Sequence, residues 1–286
     1  MASPLIRIGT RGSALALAQS RWVAERIADD TALVTITTAG DRGASLADKS
    51  QWVAELEQAL LQQRIDLAVH SAKDVPAELA EGLELVAIPD RADPRDAICG
   101  APSLQALPAG ARVGTSSLRR KAQLRAVRED IDVIDMRGNV DTRLRKLAAG
   151  ECDALVLAVA GLRRLGHEPD GTLDELVPAA GQGALALQAR TCDEHVRTCT
   201  RSVRDEQTTT CVLAERELTR RLEASCNSAV GANARPAGTG HLELRAWVGL
   251  SDGSAWISDR LNGRPGGLGS AVAERMLSVG AAGMLR

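Results

Sequence analysis

The chain has 286 residues with 35 basic and 37 acidic side chains, and its net charge of −2 excludes a global positive field for nucleic-acid backbones. Four tryptophans are its only aromatic residues, so it has almost nothing on which single-stranded bases could stack. The core must therefore be built from Leu, Val, Ile and Ala. No signal-peptide pattern and no membrane-spanning stretch is seen, so we expect a cytoplasmic protein.

Alternating strands and helices are predicted for the first part of the chain. The elements are a strand over residues 5–10, a helix over 14–27 with Ser13 as its N-cap, a strand over 33–38, a helix over 53–62 and a strand over 67–69. The first helix has its apolar face at Leu15, Ala18, Trp22 and Val23. This order of elements is typical of a βαβ architecture with a parallel sheet.

A second unit of the same kind is predicted from Arg95 onward. Its strands are expected around Val113, at residues 133–134 and at residues 155–159, each followed by a helix or a turn. Gly181-Gln182-Gly183 follows as a hinge toward the first unit. The six residues Gly181-Gln182-Gly183-Ala184-Leu185-Ala186 fit the letters of a dinucleotide fingerprint, but the alternation that follows predicts a strand instead of a helix, which argues against that function.

From residue 206 the pattern changes. A helix is predicted over residues 208–222, a hairpin over residues 242–250 and 255–260, and a helical end over residues 268–286. We therefore predict an α/β fold with a smaller third domain. The predicted domains are 1–90 with 183–205 (α/β), 91–182 (α/β) and 206–286 (α+β).

The six cysteines follow no pattern that predicts disulfides or a metal site. They stand at positions 99, 152, 192, 199, 211 and 226, with no Cys-x-x-Cys pair and no metal-ligand spacing to the four histidines. We therefore expect reduced thiols and no bound metal.

Arginines follow three predicted strands of the second unit. They stand in the segments 114–120, 137–143 and 158–164, each at or after a turn of small residues. Ligands of open α/β sheets bind at the edge where the strands end, and guanidinium groups pair bidentately with carboxylates or phosphates. We therefore predict a crevice that binds a small polyanion. The alternative is that these arginines form ordinary surface ion pairs.

Several long motifs occur along the chain in a fixed order. They are Thr10-Arg11-Gly12-Ser13-Ala14-Leu15-Ala16-Leu17-Ala18-Gln19, Val69-His70-Ser71-Ala72-Lys73-Asp74-Val75-Pro76, Asp93-Pro94-Arg95-Asp96-Ala97, the three arginine segments and Gly181-Gln182-Gly183. Together they resemble the porphobilinogen deaminase family from end to end of the chain. The resemblance implies two periplasmic-binding-protein-like α/β domains that form a clamshell, and a small α+β third domain.

The resemblance implies a transferase of haem and tetrapyrrole biosynthesis. Members of this family condense four porphobilinogens head to tail into hydroxymethylbilane and release four ammonia molecules. The condensation starts from a dipyrromethane cofactor that is linked to a cysteine by a thioether, here Cys226. Each pyrrole carries an acetate and a propionate, so the growing product is a polyanion. The family is typically monomeric, and its partner is a small-molecule substrate, with no nucleic acid and no membrane.

Motif positions that match the family imply roles for individual residues. Asp74 matches the catalytic aspartate, whose charge stabilises the cation that forms when ammonia leaves. A turn cap before Val75-Pro76 is its structural alternative, and His70 is predicted to be a satisfied structural histidine. The residues implied in binding cofactor and substrate carboxylates are Arg11, Ser13, Lys73, Thr115, Ser117, Arg119, Arg120, Arg137, Arg143 and Arg164.

Two segments depart from the family pattern. The loop over residues 42–51 is shorter than in many members, and Lys49 and Trp52 are expected to form its lid over the site. For Trp52 a packed core position is the alternative. Cys226 follows Ala224-Ser225 where many members have two glycines, but the cysteine itself is in register. The departures therefore concern loop behaviour and not cofactor attachment.

A non-enzymatic protein is the main alternative. A clamshell that binds small anions without catalysis would explain the arginines, but it would explain neither the third domain nor Cys226. It would also carry a signal peptide, and the sequence does not show one. An inactive or regulatory homologue stays open as well.

Overall fold

The structure is a computed structural model of the chain. The residues that it describes are 5–27, 29–36, 50–224 and 228–285, with the backbone alone for 50–52. Lys49, Cys226 and the side chain of Trp52 therefore lie outside the described part. The roles predicted for these three residues stay predictions.

Strands and helices alternate through most of the described chain. The strands are β1 (Ile6–Thr10), β2 (Thr31–Thr35), β3 (Leu67–Ser71), β4 (Leu83–Ala87), β5 (Asp96–Cys99), β6 (Arg112–Thr115), β7 (Asp132–Asp135), β8 (Ala154–Ala158), β9 (Gly171–Leu173), β10 (Leu185–Arg190), β11 (Ala229–Pro236), β12 (Leu242–Gly249) and β13 (Trp256–Gly263). The α-helices are α1 (Ala14–Ala24), α2 (Ser50–Leu61), α3 (Leu118–Val127), α4 (Val140–Ala148), α5 (Val159–Arg164), α6 (Glu194–Cys199), α7 (Glu206–Arg221) and α8 (Leu268–Ser278). The α/β class predicted from the sequence is confirmed.

The chain divides into two compact units. The first unit is residues 1–92 with 184–210, and the second is residues 93–183 with 211–286. The division into three domains with the predicted boundaries stays a prediction.

The first unit is built on a five-stranded sheet in the order β2-β1-β3-β10-β4. β1 is parallel to both β2 and β3, and β10 runs antiparallel to β3 and β4. Buried aliphatic side chains cover both faces, with Ile8 and Leu67 in one core cluster and Leu56 and Leu60 in the other. The carboxyl ends of β1 and β3 therefore lie at the same edge of this sheet.

The second unit contains a five-stranded sheet in the order β7-β6-β8-β5-β9. β6 is parallel to β7 and β8, whereas β5 is antiparallel to β8 and β9. A separate antiparallel sheet, β11-β12-β13, packs on α7 and α8 through a cluster that includes Leu218, Leu244 and Val272. The predicted hairpin is confirmed as β12 and β13.

The core is aliphatic, as the lack of Phe and Tyr requires. The largest fully buried side chains of the described residues are all leucine or isoleucine. No helix in the described ranges is long and apolar enough to cross a bilayer.

The boundaries and the buried face of α1 differ from the prediction. The helix ends at Ala24, and its buried residues are Gln19, Ser20 and Val23. Nε2 of Gln19 donates a 2.9 Å hydrogen bond to Oγ of Ser71 at the end of β3. The face against the sheet is therefore partly polar, which a purely apolar pattern does not detect.

The carboxyl-terminal helix is shorter than predicted. α8 ends at Ser278, and Gly280 follows with φ 104°, a left-handed conformation that favours glycine and ends a helix. A single 3-10 turn, Ala281–Met284, comes after it. The sequence also missed β4, β5, β9 and β11. β9 has three residues, and β11 contains three Ala, one Gly, one Asn and one Pro, residue types that are depleted in strands.

Candidate functional site

Lys73 and Asp74 stand at the edge of the first unit's sheet. β3 is followed directly by one turn of 3-10 helix, Ala72–Asp74. The Ala72 N–H donates to the Ala184 carbonyl at 3.0 Å, which fixes the start of the turn against the chain that enters β10. Both side chains are half-buried there. The fold therefore places a carboxylate and an ammonium group at the edge where a ligand is expected.

Arg11 and Ser13 lie at the same edge, between β1 and α1. β1 and β3 are parallel neighbours, so the residues after β1 and those after β3 share this side of the sheet. Oγ of Ser13 accepts the Ala16 N–H at 3.3 Å, which confirms the predicted N-cap. The hydroxyl keeps its own hydrogen for donation to a ligand.

His70 is buried beside this edge, in a polar network. Its Nε2 lies 3.0 Å from Oε1 of Gln188, and Nε2 of Gln188 donates to Oε1 of Glu57 at 2.7 Å. Burial lowers the pKa of His70 to about 4, although Gln188, Glu57 and Asp74 act in the opposite direction. The imidazole is therefore neutral near pH 7, and the prediction of a satisfied structural histidine is confirmed.

Protonation of His70 should destabilise the fold in mild acid. Its pKa is about 4 in the folded protein against a usual 6.5, so its contribution to stability is present above pH 6.5 and is lost as the pH falls toward 4. We expect this site to remove up to about 3 kcal/mol from the free energy of unfolding across that range. Urea titrations between pH 7 and pH 4 measure it. His70→Gln should remove this pH dependence of the free energy of unfolding. The control His241→Gln, at an exposed position, should keep it. The same pH dependence in both variants would contradict the lowered pKa of His70.

The three arginine segments share one edge of the second unit's sheet. β6, β7 and β8 are parallel neighbours, and the segments follow them in turn. Thr115 is buried, and its Oγ1 accepts the Ser117 N–H at 3.3 Å. Oγ of Ser117 caps α3 by accepting the Arg120 N–H at 3.4 Å. The shared edge that the sequence predicts is therefore confirmed, and both hydroxyls hold its backbone in place.

The carboxylate of Asp96 holds Arg119 and Arg120 in the interior of the second unit. Nη1 of Arg119 lies 2.7 Å from Oδ2, and Nε of Arg120 lies 2.9 Å from Oδ1. Nε2 of Gln182 also donates to Oδ1 at 2.8 Å. Burial would raise the pKa of Asp96, but the two guanidinium groups outweigh it and hold that pKa well below its usual range. Asp96 and Gln182 are not among the ligand-binding residues predicted from the sequence.

One polar group of this cluster has no partner in the described chain. Both Nη atoms of Arg119 donate to Asp96, and Nη1 also donates to the Val177 carbonyl at 2.8 Å. The Nε–H of Arg119 is buried and makes no hydrogen bond to any described residue. An unsatisfied buried donor costs about 1–3 kcal/mol. This atom is therefore suited to an acceptor supplied by a ligand.

Arg143 and Arg164 are partly buried cations. Nε of Arg143 donates to the Gly138 carbonyl at 2.7 Å, and Nη2 of Arg164 donates to the Gly183 carbonyl at 2.8 Å. Burial lowers the pKa of both to about 10, and the positive charge of Arg120 contributes at Arg143. Among the described residues, neither guanidinium has a carboxylate within 4.0 Å. A bound anion would restore the lost solvation of both cations.

Arg137 differs from the other arginines in its surroundings. Its guanidinium is exposed, and its Nε lies 2.7 Å from Oδ2 of Asp135, which also pairs with Lys121. In this structure Arg137 thus has the geometry of a surface ion pair. Its role in ligand binding stays a prediction.

Positive charge exceeds negative charge at this edge of the second unit. Gly183 follows Gln182, so the contact of Arg164 with Gly183 places it next to the Asp96 cluster. Arg119, Arg120, Arg143 and Arg164 carry four positive charges and Asp96 one negative charge, which leaves a surplus of three positive charges. This set of donors suits a ligand with several carboxylates. The residues that form it are Arg119, Arg120, Arg143 and Arg164 with Asp96, which we call the arginine cluster.

The five described cysteines are free thiols, as predicted. Burial raises the pKa of Cys99 and of Cys199 to about 11, and it also raises the pKa of Cys152. A thiol with a raised pKa is protonated at neutral pH and is a poor nucleophile. These three cysteines are therefore unsuited to covalent attachment of a cofactor.

Comparison with known proteins gives matches along nearly the whole chain. A family model described as "Porphobilinogen deaminase, dipyromethane cofactor binding domain" matches residues 6–198, and "Porphobilinogen deaminase, C-terminal domain" matches residues 209–278. The porphobilinogen deaminase of Deinococcus deserti is 47% identical over 98% of this chain and 97% of its own length. The porphobilinogen deaminase of Thermus thermophilus is 45% identical over 91% of this chain and 90% of its own length. The porphobilinogen deaminase of Brevibacillus brevis is 40% identical over 98% of this chain and 96% of its own length.

Solved structures match the chain only at low identity and with TM-scores below 0.5. The periplasmic VFT2 domain of Bordetella pertussis BvgS is 15% identical with a TM-score of 0.41, covering 70% of this chain and 86% of that domain. A putative methionine-binding lipoprotein of Bacillus subtilis is 10% identical with a TM-score of 0.43, and the match covers 71% of this chain and 92% of the lipoprotein.

Proposed function

Because the chain belongs to the porphobilinogen deaminase family, we propose that Asp74 is its catalytic group and that the arginine cluster binds pyrrole carboxylates. The enzyme is a hydroxymethylbilane synthase, a transferase that condenses four porphobilinogens head to tail with release of ammonia. The observation that carries the residue assignment is the surplus of buried and half-buried guanidinium groups around Asp96. No such surplus is needed to stabilise a fold.

The cofactor of this enzyme is a dipyrromethane, which supplies the free pyrrole position to which the first substrate is joined. The residues of the second unit fit such a group. Its two pyrroles carry carboxylates that the unpartnered Nε–H of Arg119 can bind. We assign Arg119 and Arg120, with Thr115 and Ser117, to the cofactor, and Cys226 to its covalent attachment.

Asp74 acts through its charge. When the C–N bond of the substrate aminomethyl group breaks and ammonia leaves, positive charge develops on the pyrrole nitrogen. A fixed carboxylate stabilises that charge without reorganisation at the moment of reaction, and it can carry a proton to the leaving amine. The turn Ala72–Asp74 supplies this fixed position. Neutral His70 adds no competing positive charge nearby.

The remaining predicted residues are assigned to the incoming substrate, to the lengthening product chain or to a lid. Arg11, Ser13 and Lys73 share the sheet edge of Asp74, so we assign them to the carboxylates of the incoming porphobilinogen. Arg137, Arg143 and Arg164 are assigned to the lengthening chain, and Lys49 and Trp52 to a lid. Action as a monomer in the cytoplasm, without nucleic-acid or membrane partners, stays a prediction, and size-exclusion chromatography would test the monomer.

Intact mass of the purified protein tests the proposed function most directly. The wild-type protein should exceed its sequence mass by two linked pyrroles, and the excess should survive denaturation and thiol reductants because a thioether is not reducible. Cys226→Ser should lose both the added mass and the formation of hydroxymethylbilane. Cys192→Ser, at an exposed cysteine, should lose neither. An unmodified wild-type protein that is fully active would contradict the cofactor assignment.

The arginine cluster should show two classes of defect. Arg119→Gln and Arg120→Gln should prevent cofactor assembly, whereas Arg143→Gln and Arg164→Gln should keep the cofactor and impair elongation. Loss of one charged hydrogen bond of about 1.5–3 kcal/mol lowers kcat/KM by roughly 10- to 100-fold. Native gels of enzyme with porphobilinogen separate the covalent intermediates.

The control is Arg163→Gln, because Arg163 neighbours Arg164 in sequence but pairs with Glu168 at the surface. This variant should give the wild-type ladder of intermediates. Wild-type ladders and rates in all four cluster variants would refute the assignment of the arginine cluster to pyrrole carboxylates.

A further inference from the structure

Three side chains with different ligand atoms meet in the first unit, at the sheet edge opposite Asp74. Asp29 lies just before β2, and His195 and Cys199 lie on α6, just after β10. β2 is parallel to β1, and β10 is antiparallel to β3, so the start of β2 and the end of β10 share the edge at which β3 begins. The proposed mechanism uses none of these three residues.

The distances among the three side chains suit a single metal ion. Nε2 of His195 lies 3.5 Å from Oδ2 of Asp29 and 3.8 Å from Sγ of Cys199. The thiol of Cys199 donates a hydrogen bond to Oδ2 of Asp29. Zinc bonds of about 2.0–2.3 Å in tetrahedral geometry place neighbouring ligand atoms roughly 3.4–3.6 Å apart. Small side-chain shifts would therefore bring all three ligand atoms onto one ion.

The backbone holds these ligands in place before any ion binds. His195 and Cys199 are four positions apart on a helix, so they share one face of it. Oδ1 of Asp193 caps this helix by accepting the Val196 N–H at 3.2 Å. The carboxylate of Asp29 is 17% exposed and the imidazole of His195 is 38% exposed. The cluster is therefore preformed and open to an ion from solvent.

We propose that Asp29, His195 and Cys199 form a binding site for a divalent cation of the zinc class, with water as the fourth ligand. Thiolate with imidazole selects zinc or cobalt over magnesium and calcium, which prefer oxygen ligands. On binding, the S–H bond of Cys199 breaks, the metal–sulfur bond forms, and the proton goes to solvent, with no change of oxidation state. The ion would join the connection between α1 and β2 to α6, and so stabilise the first unit.

No bound metal was expected from the sequence, because its cysteines and histidines do not stand at the spacing of a metal-binding motif. Asp29 is separated by most of the first unit's sequence from His195, and only the fold brings the two together. His195 and Cys199 alone are two ligands of one helix, which is too few to predict a site.

Cobalt is the probe for this site, because tetrahedral Co²⁺ absorbs visible light and a thiolate ligand adds a charge-transfer band in the near ultraviolet. Untagged holoenzyme, treated with a chelator and then dialysed, is titrated with Co²⁺ and then with Zn²⁺. We expect both bands to saturate at one Co²⁺ per chain and to disappear as Zn²⁺ displaces it. Zn²⁺ should also raise the Tm of the protein.

The matched variants are Cys199→Ser, His195→Ala and Cys192→Ser, the last at an exposed cysteine of the same segment. Cys199→Ser should abolish the charge-transfer band, and His195→Ala should weaken Zn²⁺ binding by at least ~100-fold, since even indirect partners of a metal contribute about 10- to 100-fold. Cys192→Ser should bind as wild type does. Absence of the thiolate band in the wild-type protein, its persistence in Cys199→Ser, or its loss in Cys192→Ser would overturn the proposal.

Discussion

Asp74→Asn is expected to lower the turnover of porphobilinogen by at least ~100-fold, the usual cost of removing one preorganised electrostatic group. The amide keeps the shape of the carboxylate and loses its charge, so the developing cation is no longer stabilised. The position is half-buried on a single turn whose start is fixed by the Ala72–Ala184 hydrogen bond, which does not use the Asp74 side chain. The fold should therefore persist, and hydroxymethylbilane formation per mole of enzyme is the measurement.

Two controls separate a loss of catalysis from a loss of protein. The intact mass of Asp74→Asn should still include the cofactor, and its urea unfolding curve should match that of the wild type. Asp132→Asn removes an exposed carboxylate from β7 and should leave turnover unchanged. Turnover of Asp74→Asn within a few-fold of wild type would reject Asp74 as the catalytic group.

Asp96→Asn should cause the largest loss of stability among single substitutions at the site. Asp96 is fully buried, and Arg119 and Arg120 are 4% and 6% exposed, so the variant would leave two buried cations without their carboxylate. Breaking a buried ion pair in this way costs about 3–5 kcal/mol. The free energy of unfolding from urea titration measures the effect at pH 7.

The comparison for this variant is Asp153→Asn. Asp153 also binds an arginine, Arg112 at 3.0 Å, but both side chains are more than 40% exposed. An exposed pair contributes about 0–1 kcal/mol, so Asp153→Asn should be nearly neutral. Equal stabilities of the two variants would show that burial does not increase the contribution of Asp96 to stability.

The pH dependence of this contribution follows from the pKa of Asp96, which is far below its usual range in the folded protein. The stabilisation by Asp96 should therefore be complete above about pH 4 and be lost only in strong acid, as the pH falls toward the lowered pKa.

Some features of the site follow from local sequence. Short apolar runs, each ending in a turn of small residues, predict β6 and β8, and such strands of an α/β unit end at a common edge. Ser13 before an apolar helix predicts a cap, because its hydroxyl accepts a backbone N–H three residues later. These signals are local, and the structure confirms them, with β8 displaced by one residue from its predicted range.

Other features depend on partners that are distant in sequence. The burial of Gln19 in α1 depends on Ser71, and the strand β11 depends on eight paired residues of β12, since its own residues are poor strand formers. A periodicity count includes neither partner. The predicted apolar face of α1 was therefore incomplete, since Val23 and Trp22 do pack in or against the core but the burial of Gln19 and Ser20 was missed. The third strand of the small sheet was missed for the same reason.

The sequence by itself determined the family and the α/β class and indicated Asp74 as the proposed catalytic group, because ordered motifs and hydrophobic periods are properties of neighbouring residues. Only the tertiary structure decided that Asp96 neutralises part of the arginine cluster, and that Asp29 meets His195 and Cys199 on the opposite edge of the first sheet. Coulombic attraction, burial and metal coordination depend on distances in space of a few ångströms. Those distances exist only once the sheets have formed and brought separate segments of the chain together.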